Sequence, residues 1–441
     1  MDAIDPAATA WLLASTALVL LMTPGLAIFY GGMVRTTGVL NMIMMSFISI
    51  PLVTVAWLLV GYTIAFSDDS AGGLVGSLKH IGMLGINPDT ARGPVPELLF
   101  ATFQLGFAIV TAALVSGAIA DRAKFAAWMV FVPLWTVAVY AVVAHWVWAP
   151  GGWLFNLGAL DYAGGMVVEI VSGMSALALA LVLGPRIGFK KDAMRPHNLP
   201  FVLLGCGLLW FGWFGFNAGS EITTDGVTAV AFVNTQVATA AALLGWLVVE
   251  WIRDGKPTMV GASSGAVAGL VAITPACGFI SPLGSVGLGL VAGAACALAV
   301  GLKYKLGYDD SLDVVGVHFV GGWIGSLSIG LLASSKINAA LVGVDGGAKE
   351  GLFYGGGLTQ LVRQFEGSII VTVFSFSVAF ALGWVINKTI GFRVKPEAET
   401  EGIDIAEHAE SGYDFVSGAG TGAFAQAGIN APAKVTEQVA G

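Results

Sequence analysis

Charge is what this sequence has least of. Only 11% of its 441 residues are Asp, Glu, Lys or Arg, 56% are hydrophobic, and the mean hydropathy is +0.83. That is too little polar surface to clothe a water-soluble globule of this length. Cysteine is scarce as well. Cys206, Cys277 and Cys296 sit singly in apolar runs at no metal-ligand spacing, and an odd count makes no disulfide framework, so they read as small buried hydrophobes. Phosphate-binding glycine loops, nucleophile elbows and metal-ligand motifs are missing too, which leaves soluble-type enzyme activity without support and implies no cofactor and no nucleic-acid partner. No basic residue precedes the first apolar run, from about Ala7 to Tyr30, so that run reads as a true span and not as a cleaved signal.

What the chain has in quantity is glycine, 61 residues, about twice the ordinary ~7% share, as closely packed membrane helices require. The fold class is therefore an all-α polytopic membrane protein. Apolar segments place eleven transmembrane helices near 7–30, 41–66, 98–120, 125–148, 162–184, 199–219, 227–251, 259–279, 283–302, 312–333 and 367–392. Basic residues set the orientation. With the N-terminus outside, the inside connections hold fourteen Lys and Arg, from Arg35 through Arg122, Arg186 and Lys303 to Lys395, and the outside ones hold five. The positive-inside rule then gives N-outside and C-inside. Two long connections, 67–97 and the Gly-rich 334–366, fall outside.

Glu169 is the only charge in the run from Tyr162 to Gly184. A carboxylate at membrane depth costs at least ~2.5–3.5 kcal/mol, so it faces a protein interior or a pathway and has a partner. An internal repeat supplies one. Asp161 precedes Glu169 by eight residues in the fifth span, and Asp310 precedes His318 by eight in the tenth, with Gly173 in one and Gly321 and Gly322 in the other allowing close helix contact. Five spans separate the two helices, so they run oppositely, as in an inverted repeat of spans 1–5 against 6–10 with the eleventh extra. Eight residues are ~12 Å of rise, which carries Glu169 and His318 toward the midplane from opposite faces. His318 is thus the expected partner of Glu169, and Asp161 and Asp310 are expected helix caps. A carboxylate beside an imidazole can accept and pass on a proton, which points to a proton or cation path and not to helix packing alone.

A second cluster is aromatic. Phe103 and Phe107 lie four residues apart near the outer end of the third span, Trp148 closes the fourth, and Phe216 and Ser220 lie four apart at the outer end of the sixth. Aromatic faces with one hydroxyl suit a small, partly dehydrated cation. His145 near the interface reads as structural, while His197 and His408 receive no task.

The runs AIFYGGMVR, DYAGGMVVE, RPHNLPFVLLG, WFGFNAGS, AFVNTQVATAAALLGW, GAVAGLVAITPACGFISP, DDSLDVVGVHFVGG and EGIDIAEHAESGY closely resemble the ammonium transporter family Amt/Mep/Rh, on its Amt/Mep side, in colinear order from about residue 9 to 413. The resemblance implies a homotrimer with one pore per subunit and uptake of ammonium across the plasma or inner membrane. Phe107, Trp148 and Ser220 resemble the outer ammonium site, with Phe103 beside it, and Phe107 and Phe216 the phenyl gate below. Asp161 resembles the aspartate near that site and Asp310 its counterpart. His318 matches the second of two pore histidines, while Glu169 stands at the place of the first, as in some fungal Mep-type members.

Domain limits follow: a transporter unit over 1–392 (repeats about 7–184 and 199–333, extra span about 367–392), a cytoplasmic tail over 393–413, and a disordered extension over 414–441. The tail resembles the segment that responds to PII-type regulators. The expected function is ammonium transport in which ammonia crosses the pore while Glu169 and His318 relay the proton. The alternatives are a passive ammonia channel and an ammonium sensor signalling through a cytoplasmic partner.

Overall fold

The computed structural model describes residues 4–340, 342 and 347–413. The expected disordered extension over 414–441 lies outside the described residues.

Among the described residues, ten helices are long and apolar enough to cross a membrane. They are α1 (Pro6–Met33), α2 (Thr36–Phe66), α3 (Glu97–Ile119), α4 (Phe125–Leu157), α5 (Gly165–Leu183), α6 (Leu199–Glu221) and α7 (Gly226–Asp254), followed, after the shorter apolar helix α8 (Met259–Ile273), by α9 (Pro282–Leu306), α10 (Val315–Leu332) and α11 (Thr359–Thr389). The multi-pass, all-helical character read from composition therefore holds. Two short helices follow, α12 (Pro396–Glu401) and α13 (Ile403–His408), and a short antiparallel pair, β1 (Ala91–Arg92) with β2 (Val95–Pro96), lies in the connection before α3.

Local chemistry starts the helices. Asp5 accepts from the amide of Ala8 ahead of Pro6, Asn198 from Phe201, Thr258 from Gly261 and Ser281 from Gly284, while Asp225 and Thr228 form a reciprocal capping box. Each places a short side-chain oxygen on an amide that has no partner within the helix.

Two ends differ from the sequence expectation. The eighth helix stops at Ile273 and not near 279, because Thr274 and Pro275 turn the chain and the Pro275 carbonyl accepts from the Tyr162 amide at 3.1 Å. A proline also has no amide with which to continue the ladder. The last long helix begins at Thr359, eight residues before the expected 367. Its first turns carry Gln360 and Gln364, both fully buried, which bond the carbonyls of Gly158 and Leu160. Hydropathy counts such satisfied glutamines as loop.

The centre is the crossing of α5 and α10. A Cβ on Gly173 would meet the Phe319 backbone nitrogen at 2.6 Å, and one on Gly322 would meet the Glu169 Cβ at 2.8 Å. Glycine at these two positions sets the approach of the helices that carry Glu169 and His318. The ends of α1 define two faces. At the Met33 end, Arg122 is fully buried and donates to the carbonyls of Ala118, Ala120, Gly184 and Asp309. Arg186 is paired with Asp309 at 2.9 Å. Burial alone would raise the Asp309 pKa, but the Arg186 guanidinium outweighs it and holds the carboxyl below its ordinary value. The tail helices α12 and α13 pack on this face.

Candidate functional site

A cavity of 170 Å³ near the Pro6 end of α1 is lined by Phe66, Phe100, Gln104, Phe107, Trp148, Tyr162, Ser220 and Ile222. Its geometry is built from helix ends. The α4 ladder is interrupted after Trp148, where Ala149 turns extended before a last turn at Trp153–Leu157, and the Trp148 indole Nε1 donates to the Asp161 carbonyl at 2.8 Å. That bond fixes the ring edge and leaves its face to the cavity. Ser220 sits on the terminal turn of α6 and donates its hydroxyl proton to the Phe216 carbonyl at 2.8 Å. With its only hydrogen so engaged, Ser220 Oγ offers lone pairs and no donor. An aromatic box that offers Ser220 Oγ as an acceptor is matched to a small cation carrying N–H groups.

Of one stacked pair of rings, Phe107 lines this cavity and Phe216 lines the space below it. Phe107 and Phe216 stack with centroids 4.0 Å apart and planes 25° apart, and Trp148 stands edge-on to Phe107 at 5.9 Å. Beneath Phe216 lies a second, narrow space of about 10 Å³, room for roughly one water-sized probe. Its walls are apolar, among them Leu26, Phe29, Leu114, Val168, Leu209 and Trp213, except for Glu169 and His318.

Those two groups meet. His318 Nδ1 lies 2.6 Å from Glu169 Oε2, with Glu169 fully buried and His318 nearly so, while Glu169 Oε1 has no hydrogen-bond partner among the described residues. Each sits in a wide helical turn with the looser i→i+5 pattern, Gly165–Ile170 in α5 and Val315–Phe319 in α10; Trp57–Gly61 and Thr136–Tyr140, away from the site, form such turns too. The matching turns at Glu169 and His318 were not legible in the sequence. Each of these two is preceded by its aspartate. Asp161 accepts from the amides of Gly164, Gly165, Met166 and Val167 at 2.6–3.1 Å, and Asp310 from Val314 and Val315 at 3.1 and 2.7 Å. With Glu169 ionised, the imidazole donates through Nδ1 and keeps Nε2 as an acceptor, so the pair can take up one proton.

Of the aromatic residues singled out from the sequence, Phe107, Trp148, Ser220 and Phe216 converge as described. Phe103 does not line the cavity. It is fully buried, 4.9 Å from the Phe107 ring and packed on Gly219 of α6. On a helix buried nearly all round, a four-residue spacing does not tell which side faces the space. Asp161 does not line it either, its carboxylate being occupied by amides. Phe66, Phe100, Gln104, Tyr162 and Ile222 were missed. The i, i+4, i+7 series Phe100, Gln104 and Phe107 on α3 was the available signal. His145 is buried, bonded to the Ala65 carbonyl at 3.1 Å and 3.6 Å from Asp69, a structural placement. His197 and His408, left without a task above, hold the tail. His197 bonds the Tyr413 hydroxyl at 2.9 Å, and His408 bonds Asn41 at 3.0 Å.

The model of the Ammonium Transporter Family matches residues 10–413. A Mycobacterium bovis ammonium transporter is 54% identical over 442 aligned positions, covering 95% of this chain and 92% of that protein. Among solved structures, Saccharomyces cerevisiae Mep2 superposes with a TM-score of 0.82 at 34% identity, covering 89% of this chain and 91% of that one. A protein described as a sensor Amt protein superposes with a TM-score of 0.83 at 27% identity, covering 91% and 98%.

Proposed function

This chain belongs to the ammonium transporter family, a family of membrane transporters and not enzymes, and from that premise we propose an electrogenic route in which ammonium is split and its parts cross separately. Ammonium is taken from the outside into the aromatic box, against Trp148 and Phe107 with an N–H to Ser220 Oγ. It passes when the Phe107 and Phe216 rings part, and loses its proton at that point. Ammonia then crosses the narrow apolar space, while Glu169 and His318 carry the proton. The observation that carries this reading is the buried Glu169–His318 pair, among the described residues the only ionisable groups lining a space too small and too apolar to hold a hydrated cation. Dehydrating an ion whole in such surroundings costs far more than moving a neutral molecule. A carboxylate in place of a second imidazole adds fixed negative potential to a dry passage.

The finer setting belongs to the same proposal: a place in the plasma or inner membrane with the N-terminus outside and the tail in the cytoplasm, an inverted five-helix repeat, a homotrimer with one pore per subunit, and a PII-type regulator meeting the tail face. The repeat is supported by the twin wide turns, each with its aspartate at its start. Transport is tested by solid-supported-membrane current on proteoliposomes. The parent gives an ammonium-dependent current, Glu169→Gln loses roughly tenfold or more, and Glu169→His keeps current but shifts the ammonium-to-potassium ratio. Absence of current in a parent that still passes ammonia leaves a neutral gas channel, and variants that both match the parent take Glu169 off the proton path. A host lacking its own ammonium uptake separates transport from a purely sensory role, because only transport restores growth on low ammonium.

A further inference from the structure

A second chamber adjoins the aromatic box and has no part in the route above. It encloses 420 Å³ and shares Trp148, Tyr162 and Ser220 with the box, so these three residues form a common wall between the two. The next two residues of the chain separate them: Glu221 lines the larger chamber and Ile222 the aromatic box. Backbone geometry enforces the division. The last turn of α6, Gly219–Glu221, is capped by Ile222 at φ 62° and ψ 2°, its amide bonded to the Gly219 carbonyl at 3.0 Å. A β-branched residue is strained in that left-handed region, and such strain gathers where a binding surface needs it.

Glu221 is held at the wall. The Tyr162 hydroxyl donates to its Oε2 at 2.6 Å, and the Tyr162 ring is itself fixed by its amide bond to the Pro275 carbonyl and by the edge of Phe279 at 5.5 Å. Among the described residues, no Lys, Arg or His lies within ion-pair distance of Glu221. The chamber's other carboxylate, Asp161, is occupied by four backbone amides. A half-buried carboxylate with no cationic partner, beside an indole, a phenol and a hydroxyl that can only accept, has the chemistry of a monovalent-cation site. One carboxylate is too few for a divalent ion, which takes six or more oxygens, while aromatic walls favour a weakly hydrated monovalent one.

We propose that Glu221, with Ser220 and the aromatic wall, forms a capture site for a small monovalent cation ahead of the aromatic box, concentrating ammonium there and lowering the concentration at which transport half-saturates. This rests on the transport reading, so the test has one arm that does not depend on it. Crystals of the full chain soaked in thallium(I), a monovalent cation of similar size, are compared by anomalous scattering for the parent, Glu221→Gln and Tyr162→Phe. A peak beside Glu221 in the parent, weakened in Tyr162→Phe and absent in Glu221→Gln, is expected. In proteoliposomes at low ionic strength, Glu221→Gln raises the half-saturating ammonium concentration roughly three- to tenfold, with a smaller change in maximal current, and the difference shrinks at high salt because the attraction of a half-buried charge for cations arriving from solution is screened. No thallium peak beside Glu221 overturns the proposal. So does a half-saturation that is unchanged, or one whose shift is the same at all salt concentrations. A peak in a parent that carries no current overturns the electrogenic reading and leaves the cation site standing.

Discussion

Asp161 and Glu169 are carboxylates eight residues apart on one helix, yet their surroundings give them different chemistry. Asp161 accepts from four backbone amides and has no lone pair in need of a further donor, whereas Glu169 has one oxygen on His318 and the other free. Asp161 therefore acts by holding the start of the wide turn that sets Glu169's position. An Asn there keeps the size but has one acceptor oxygen and points an NH₂ at amide donors. Asp161→Asn is expected to lose about 1–3 kcal/mol for each amide left unsatisfied. It would show as a lower Tm of the purified protein together with lost current. An unchanged Tm with weaker ammonium affinity would instead make Asp161 a ligand. The eight-residue spacing made the Glu169–His318 meeting legible, because rise per residue and opposed helix directions are enough to bring two groups to one depth. Which side of α3 faces the cavity was not legible, since Phe103 and Phe107 are equally buried and equally aromatic.

At the scale of elements, helix ends set by caps and prolines, such as Asp5 ahead of Pro6 or the turn at Pro275, have their cause in single residues, whereas the tail does not. α12 and α13 have six residues each, too few to be stable alone. What holds them comes from far along the chain. Asp404 accepts from the amides of Leu40 and Asn41 in α2 at 2.9 and 2.8 Å, and so caps a helix more than 360 residues away. Glu399 takes the Ile187 amide at 2.6 Å and the Arg393 guanidinium at 2.8 Å. Partners at such separations leave no periodicity, which is why His197 and His408 gave no signal. Removing a capping acceptor costs ~1–2 kcal/mol. Asp404→Ala is then expected to speed limited proteolysis within 396–413 roughly five- to thirtyfold while the Tm of the helical unit stays the same. Equal cleavage rates in the two proteins would show that the tail is held by its other contacts.

Across the whole molecule, the buried arginine cluster and the aromatic box occupy opposite ends. Arg122, Arg186, Arg393 and the tail cluster at the Met33 end of α1, and the aromatic box and Glu221 lie at the Pro6 end, where Trp11 bonds the Ala218 carbonyl at 3.2 Å. In the orientation proposed above, with the basic end in the cytoplasm, the box would face outward and the tail inward. This arrangement can be tested in whole cells without removing native thiols, because Cys206, Cys277 and Cys296 are all buried. Ala71, in the connection after α2, and Lys256, between α7 and α8, are both exposed, so cysteine at either is expected to cost under about 0.5 kcal/mol. A membrane-impermeant maleimide should label Ala71→Cys in intact cells, and Lys256→Cys only after the membrane is opened. The reverse pattern would invert the protein in the membrane and turn the aromatic box toward the cytoplasm, and with it the direction of capture argued from Glu221.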